Sequence, residues 1–167
     1  MQNLKEQVNP HFLFNNLSVL SSLVYKDQDK AVDFINQLSK VYRYILDTRN
    51  NELITLEEEL KFIQSYTYLL QIRYGNNIAF KFDVPAQKYN LLLPPLALQL
   101  LIENAIKHNE VSGDFPLHIG IEEFENVLEV KNNLQTRHNH EKSSGTGLNN
   151  IRQRYRHYTS RVVEVIN

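Results

Sequence analysis

Two short runs hold side chains whose types and spacing suit phosphoryl chemistry. The first is Asn9-Pro10-His11-Phe12-Leu13-Phe14-Asn15. A neutral imidazole is a competent nucleophile toward phosphorus. Asn15, four residues on, falls one helical turn from His11, where its amide can orient the ring or a hydrolytic water. A proline inside a helix would kink the rod and free the carbonyl of Glu6. The run also reads more simply, as Asn9 capping a helix whose first residue is Pro10, with His11 an ordinary surface histidine. The second run, Leu101-Ile102-Glu103-Asn104-Ala105-Ile106-Lys107-His108, sets Asn104 and His108 at i and i+4, with Lys107 close by at i+3. An amide oxygen suits a hydrated magnesium ion, and a lysine or histidine suits phosphate. Taken alone, Lys107 and His108 equally complement the C-terminal end of a helix.

Two other features are weaker. Gly145-Thr146-Gly147 precedes a helical pattern beginning at Leu148. Glycine lets a backbone approach an anion and a helix start offers free N–H groups, although two glycines in a turn are commonly only a turn. His138-Asn139-His140 has the spacing of a metal pair but lacks a third ligand, so it reads as part of a solvated loop. The rings of Tyr66, Tyr68 and Tyr74 are accounted for by packing.

These residues must be positioned by two kinds of element. Leu4, Val8, Phe12, Asn15 and Val19, with Leu13, Leu17, Leu20 and Val24 beside them, predict a helix with a wide apolar face. After the polar break at 26–29, Ala31, Phe34, Ile35, Leu38, Val41, Tyr42, Ile45 and Leu46 resume the helical period. So short a connection implies antiparallel packing. Thr55 and Glu58 form a capping-box pair opening a third helix that runs to Tyr74 and stops at Gly75. Alternation then takes over: Ile78, Phe80 and Phe82 predict a strand ended by Pro85. Pro94-Pro95 are expected to open a helix reaching His108. Strands over 117–123 and 127–131 are joined by a Glu125-Asn126 turn, a polar loop covers 135–144, a helix covers 148–158, and a strand begins at Val162, Val163 and Val165.

Composition narrows the function classes. Eighteen basic against nineteen acidic residues give a net charge of −1, so no overall drive toward nucleic acid or anionic lipid exists. The chain has no cysteine, which removes disulfides and thiolate metal sites as means of holding a small core and leaves association with another chain. The longest apolar stretch, 91–102, is shorter than the ~20 residues needed to cross a bilayer, and the first residues lack the pattern of a signal peptide.

In order, NPHFLFNNL, TLEEELKFIQSYTYLLQIRYG, LLPPLALQLLIENAIKH and SGTGLNNIRQRY closely resemble the motifs of the LytS/YehU-type sensor histidine kinases, over almost the whole chain. That fixed order outweighs the simpler readings of each run. The resemblance implies an α+β fold: residues 1–75 as dimerisation and phosphotransfer helices forming a dimeric four-helix bundle, and 76–167 as a GHKL-type ATP-binding α/β sandwich, incomplete at its C-terminus. It implies His11 as phosphoacceptor and Asn104 as the magnesium-binding asparagine. Lys107 and His108 fall on the phosphate side, and Gly145, Gly147 and Leu148 on the second glycine box. ATP and Mg2+ would be the cofactors. The partners would be a second copy of the chain and a response regulator, often one with a LytTR DNA-binding domain. The chain is expected to be the cytoplasmic portion of a bacterial inner-membrane protein, cut from a longer parent with transmembrane sensor helices and a further sheet strand.

The departures cluster at the first glycine box. Asn132 stands where the family has an adenine-binding aspartate, and Leu134 and Thr136 stand where it has glycines. An amide still accepts a hydrogen bond but carries no charge, and a side chain in place of glycine can displace the backbone. Ser143 likewise replaces the first glycine of the second box. Two functions follow: a histidine autokinase, or a degenerate dimerisation module with weak or absent ATP binding. A third, another GHKL ATPase such as a chaperone or topoisomerase domain, is disfavoured by the NPHFLFN helix.

Overall fold

The computed structural model describes residues 10–125, 127–135, 146–159 and 163–165. They form a mixed α+β fold in the order α1 (Pro10–Lys26), α2 (Gln28–Asp47), β1 (Ile54–Thr55), α3 (Leu56–Tyr74), β2 (Ile78–Asp83), β3 (Leu92–Leu93), α4 (Ala97–His108), β4 (Leu117–Phe124), β5 (Val127–Asn132) and α5 (Thr146–Arg156).

The break between α1 and α2 is a single residue. Asp27 leaves the helical conformation and its carboxylate accepts from the Lys30 N–H at 3.0 Å, capping α2. The chain reverses there, and the ring of Phe12 near the start of α1 lies 6.3 Å from that of Tyr42 near the end of α2. This is the antiparallel hairpin expected of so short a link. α1 also bonds back on itself: the Asn16 amide donates to Phe12 O, and the Ser18 and Ser21 hydroxyls to Phe14 O and Leu17 O.

α3 begins as its sequence dictates. Thr55 Oγ1 accepts from the Glu58 N–H while Glu58 accepts from the Thr55 N–H, a complete capping box. Two further N–H groups of the first turn are bonded by the chain just before α4, Leu56 N to Leu91 O (2.7 Å) and Glu57 N to Tyr89 O (3.0 Å). The two-residue antiparallel pairing of β1 with β3 lies beside them. Gly75 ends α3 at φ +60°, ψ −135°, a conformation that favours glycine.

The sheet has the order β2-β4-β5, with β2 parallel to β4 and β4 antiparallel to β5. A parallel pair needs a crossover, and α4 lies within it. Along β4, Leu117, Ile119 and Ile121 are buried while His118 and Gly120 alternate outward. They join Ile78 of β2, Leu69 and Leu70 of α3 and Leu98, Ile102 and Ala105 of α4 in one core, which continues into α2 through Phe34, Leu38 and Val41. Each such side chain contributes about 1.5–3 kcal/mol by leaving water.

Pro94 and Pro95 do not open α4. The helix starts at Ala97, after Leu96 has turned through a left-handed conformation (φ 65°, ψ 13°) that disfavours a side-chain-bearing residue by about 1–2 kcal/mol. The cause is Glu59 of α3, which is fully buried. Its carboxylate accepts from Leu96 N (3.1 Å), Leu98 N (3.0 Å) and the Tyr44 hydroxyl of α2, so a side chain from another helix replaces the local cap. At the chain's end, α5 spans Thr146–Arg156 rather than 148–158. Residues 163–165 are not in a strand: the Val163 carbonyl accepts from Arg152 Nε at 3.1 Å instead of from a neighbouring strand. Val162, Asn126 and most of the polar loop lie outside the described residues.

Burial is the largest influence on Glu59 and raises its pKa above 4.5, against the opposing bonds from Tyr44, Leu98 and Leu96. Burial and the neighbouring Glu59 push the Tyr44 hydroxyl far up, so it stays a donor. A group with a raised folded pKa binds its proton more tightly in the folded chain, so its contribution to stability is greatest below the unfolded value near 4.5 and falls as pH rises through the folded value. Urea unfolding from pH 4 upward should show this decline, and Glu59→Gln should flatten it. Tyr44→Phe should cost about 1–2 kcal/mol, and Glu59→Ala, which strands two buried N–H groups, about 3 kcal/mol or more.

Candidate functional site

His11 lies in the first turn of α1 and its side chain is exposed. Asn15, one turn on, brings Nδ2 to 3.0 Å from Nδ1 and 3.3 Å from Nε2 of the imidazole. Donation from Nδ2 leaves the proton on the other ring nitrogen. A half-turn of the amide presents Oδ1 instead, which accepts from Nδ1–H and leaves Nε2 with its lone pair. The amide can thus select which ring nitrogen keeps its lone pair. The next residue, Phe12, turns inward and stacks on Tyr66 of α3 at 5.6 Å. His11 is therefore displayed by a turn whose neighbour is anchored in the core.

The second set of residues lies on the last turns of α4. Asn104 is half-buried, and its Nδ2 is enclosed with no hydrogen-bond partner among the described residues. A buried amide left unbonded by the protein is costly unless a ligand or water completes it. Lys107 is exposed and His108 half-buried. Asn109 caps the helix: its N–H and Nδ2 both donate to Ala105 O.

The stretch following β5 is fastened to this same helix end. Asn109 Oδ1 accepts from Gln135 N at 2.7 Å, and Glu110 N donates to Gln135 O at 2.8 Å. Asn133 bonds His118 N and Pro116 O, and Gln135 Nε2 also donates to Pro116 O. Asn132 is exposed, with Nδ2 donating to Asn133 O, which leaves its carbonyl oxygen as an acceptor. Leu134 is 80% exposed. The structure thus brings 132–135 to the end of α4 that carries Asn104, Lys107 and His108. Gly147 and Leu148 stand in the first turn of α5, Leu148 half-buried. The later turns of α5 are fixed to the start of α4, where Arg154 Nη1 donates to Pro95 O at 3.2 Å. Gly145, Thr136, Ser143, His138 and His140 lie outside the described residues.

This donor set fits a magnesium nucleotide. The amide oxygen of Asn104 suits the metal and its Nδ2, unpartnered among the described residues, a phosphate oxygen, while the exposed Lys107, the half-buried His108 and the Asn132 carbonyl oxygen are also of the right chemical types. Sequence patterns missed the polar contacts beneath these groups, made by the buried Glu59 and by Tyr66 with the half-buried Glu103. A signal was present for Glu59, which falls on the stripe Leu56, Leu60, Ile63 and Leu70, where an apolar side chain would be expected.

Comparison with known proteins gives a consistent result. The model of the histidine kinase family matches residues 1–78. The Sensor protein LytS of Staphylococcus saprophyticus is 43% identical over 108 residues, covering 65% of this chain and 18% of the relative. Those of Bacillus cereus and Enterococcus faecalis are 34% and 33% identical over 90% and 92% of this chain, which correspond to 28% and 29% of their own lengths. The chain spans less than a third of the curated relatives it matches.

Asn109→Ala should loosen the fastening of 133–135. The expected cost is about 1–3 kcal/mol in urea unfolding, and amide exchange at Gln135 should accelerate more than exchange at Ile119.

Proposed function

Because the chain belongs to the LytS-type sensor histidine kinases, proteins of two-component signal transduction, we propose that it phosphorylates His11 from ATP and passes the phosphoryl group to an aspartate of a response regulator. The observation that carries this reading is the exposed His11 imidazole held by Asn15. His11 supplies a neutral ring nitrogen to the γ-phosphorus, ADP leaves with the bridging oxygen, and the second ring nitrogen releases its proton. Asn15 sets which nitrogen carries that proton, or later orients water against the phosphoryl group. Asn104 would hold magnesium, Lys107 and His108 the phosphates, Asn132 the adenine amino group, and Gly145, Gly147 and Leu148 the phosphate-side backbone cradle. Magnesium supplies charge neutralisation at the transferred group.

The reading divides the chain into phosphotransfer helices, 1–75, and a GHKL-type nucleotide sandwich, 76–167. It pairs two copies through a four-helix bundle of α1 and α2. Exposed apolar side chains on these helices support the pairing: Phe14 and Leu17 on α1, Val32, Ile35 and Leu46 on α2. A LytTR-type regulator and a membrane-anchored parent with this portion in the cytoplasm belong to the same reading and rest on the resemblance. Within the chain, no described helix is long and apolar enough to cross a membrane.

A second reading has its own observation. Asn132 and the exposed Leu134 occupy the adenine-side stretch, which favours a signalling module that binds nucleotide weakly or not at all. Loss of one charged contact costs about 1–3 kcal/mol, which still permits occupancy at millimolar ATP. The first reading is therefore preferred.

Full-length protein incubated with γ-labelled ATP and magnesium should acquire an acid-labile phosphate that His11→Ala abolishes; no label on the wild type sinks the autokinase reading. By calorimetry, Leu134→Gly should bind Mg-ATP about three- to tenfold more tightly, and Asn104→Ala should lose magnesium-dependent binding.

A further inference from the structure

Among the described residues one series of contacts joins the His11 turn to the Asn104 turn. Phe12, adjacent to His11, stacks on Tyr66 at 5.6 Å with the rings 27° apart. Tyr66 is 2% exposed, and its hydroxyl donates to Glu103 Oε1 at 3.0 Å. Gln99 Nε2, one turn earlier on α4, donates to the same oxygen at 2.8 Å. Glu103 immediately precedes Asn104, whose amide nitrogen is enclosed without a partner. Packing and capping do not require this arrangement. A phenylalanine at 66 would fill the same space, and α4 is already capped by Glu59 at its start and Asn109 at its end.

We propose that Tyr66 and Glu103 are positioning residues that couple the placement of the His11 turn to the orientation of Asn104. The phenol is held protonated by burial and then by the charge of Glu103, so it remains a donor and the bond has one direction. Oε1, shared by donors from α3 and from α4 itself, fixes the rotation of the α4 turn that aims Asn104. A shift of α1 that moves Phe12 changes the seat of Tyr66, and through one hydrogen bond changes where Asn104 points. Tyr42, whose ring meets Phe12 at 6.3 Å and whose hydroxyl is buried without a partner, lines the same seat.

The roles of His11 and Asn104 come from the proposed function, so the test needs a measurement that does not depend on kinase activity. The side-chain NH2 resonance of Asn104, identified by its loss in Asn104→Ser, should move in Tyr66→Phe and in Glu103→Met, which has no oxygen acceptor for the phenol, in the full-length protein without nucleotide. It should also move in Phe12→Leu and stay in place in Phe12→Tyr, which keeps the stack. Phosphorylation of His11 at saturating ATP should fall about three- to tenfold in Tyr66→Phe and Glu103→Met. The double variant should be no slower than the slower single one, because both changes remove the same bond. An Asn104 resonance unmoved by Tyr66→Phe, or independent multiplicative losses in the double variant, overturns the proposal. A wild-type protein that takes no label refutes the kinase reading instead, and the resonance alone then decides the coupling.

Discussion

A carboxylate without access to water holds this molecule together. Glu59 sits on the face of α3 that meets both α2 and the start of α4, and it gathers a phenol from one and two backbone N–H groups from the other. Burying a carboxylate costs several kcal/mol unless its lone pairs are filled, and here three donors offset that cost. Burial, and then the nearby charge of Glu59, push the Tyr155 hydroxyl of α5 up to about 12. The polar centre thus bonds three of the helices, α2, α3 and α4, to one another. Replacing it with an apolar residue would leave the N-terminal N–H groups of α4 without acceptors, and the positive φ of Leu96 would lose its restraint.

That constraint sets where the remaining parts fall. With its first turn held by α3, α4 delivers Asn104, Lys107 and His108 two turns later at a defined height. Asn109 closes the helix and catches the stretch leaving β5. Gln135 is therefore positioned by the helix end, while Asn132 stays in the register of β5 opposite Ile119. Leu134 is exposed while Gln135 is tied down on both backbone groups, so the chain carries a leucine at this position with its side chain turned outward.

Much of this was readable from residue order. The capping box at Thr55 and Glu58, the stop at Gly75, the strand from Ile78 and the hairpin of α1 and α2 depend on neighbours within a few positions, and the structure contains each of them. The start of α4 was misread because its cap comes from 37 residues away, and no local pattern at Pro94-Pro95 encodes it. The run 163–165 has strand-like composition, but its carbonyl at Val163 is bonded by an arginine of α5. For the site, residue types marked His11, Asn15 and Asn104, since each is polar within an apolar run. Tyr66 reads as packing, and nothing local marks it or Glu103 as partners, because the bond between them joins residues 37 positions apart.

One property of α1 follows from its own side chains. Asn16, Ser18 and Ser21 each bond the carbonyl one turn back, so three backbone oxygens in little more than a turn share their acceptance between an amide and a side chain. Phe12 lies on the opposite face of α1 from Phe14 and Leu17, so the shared carbonyls loosen the helix on both sides and favour no single direction of bend. The helix that displays His11 is therefore softened between Phe12 and Leu17, and bending it there costs less than bending it nearer the reversal at Asp27.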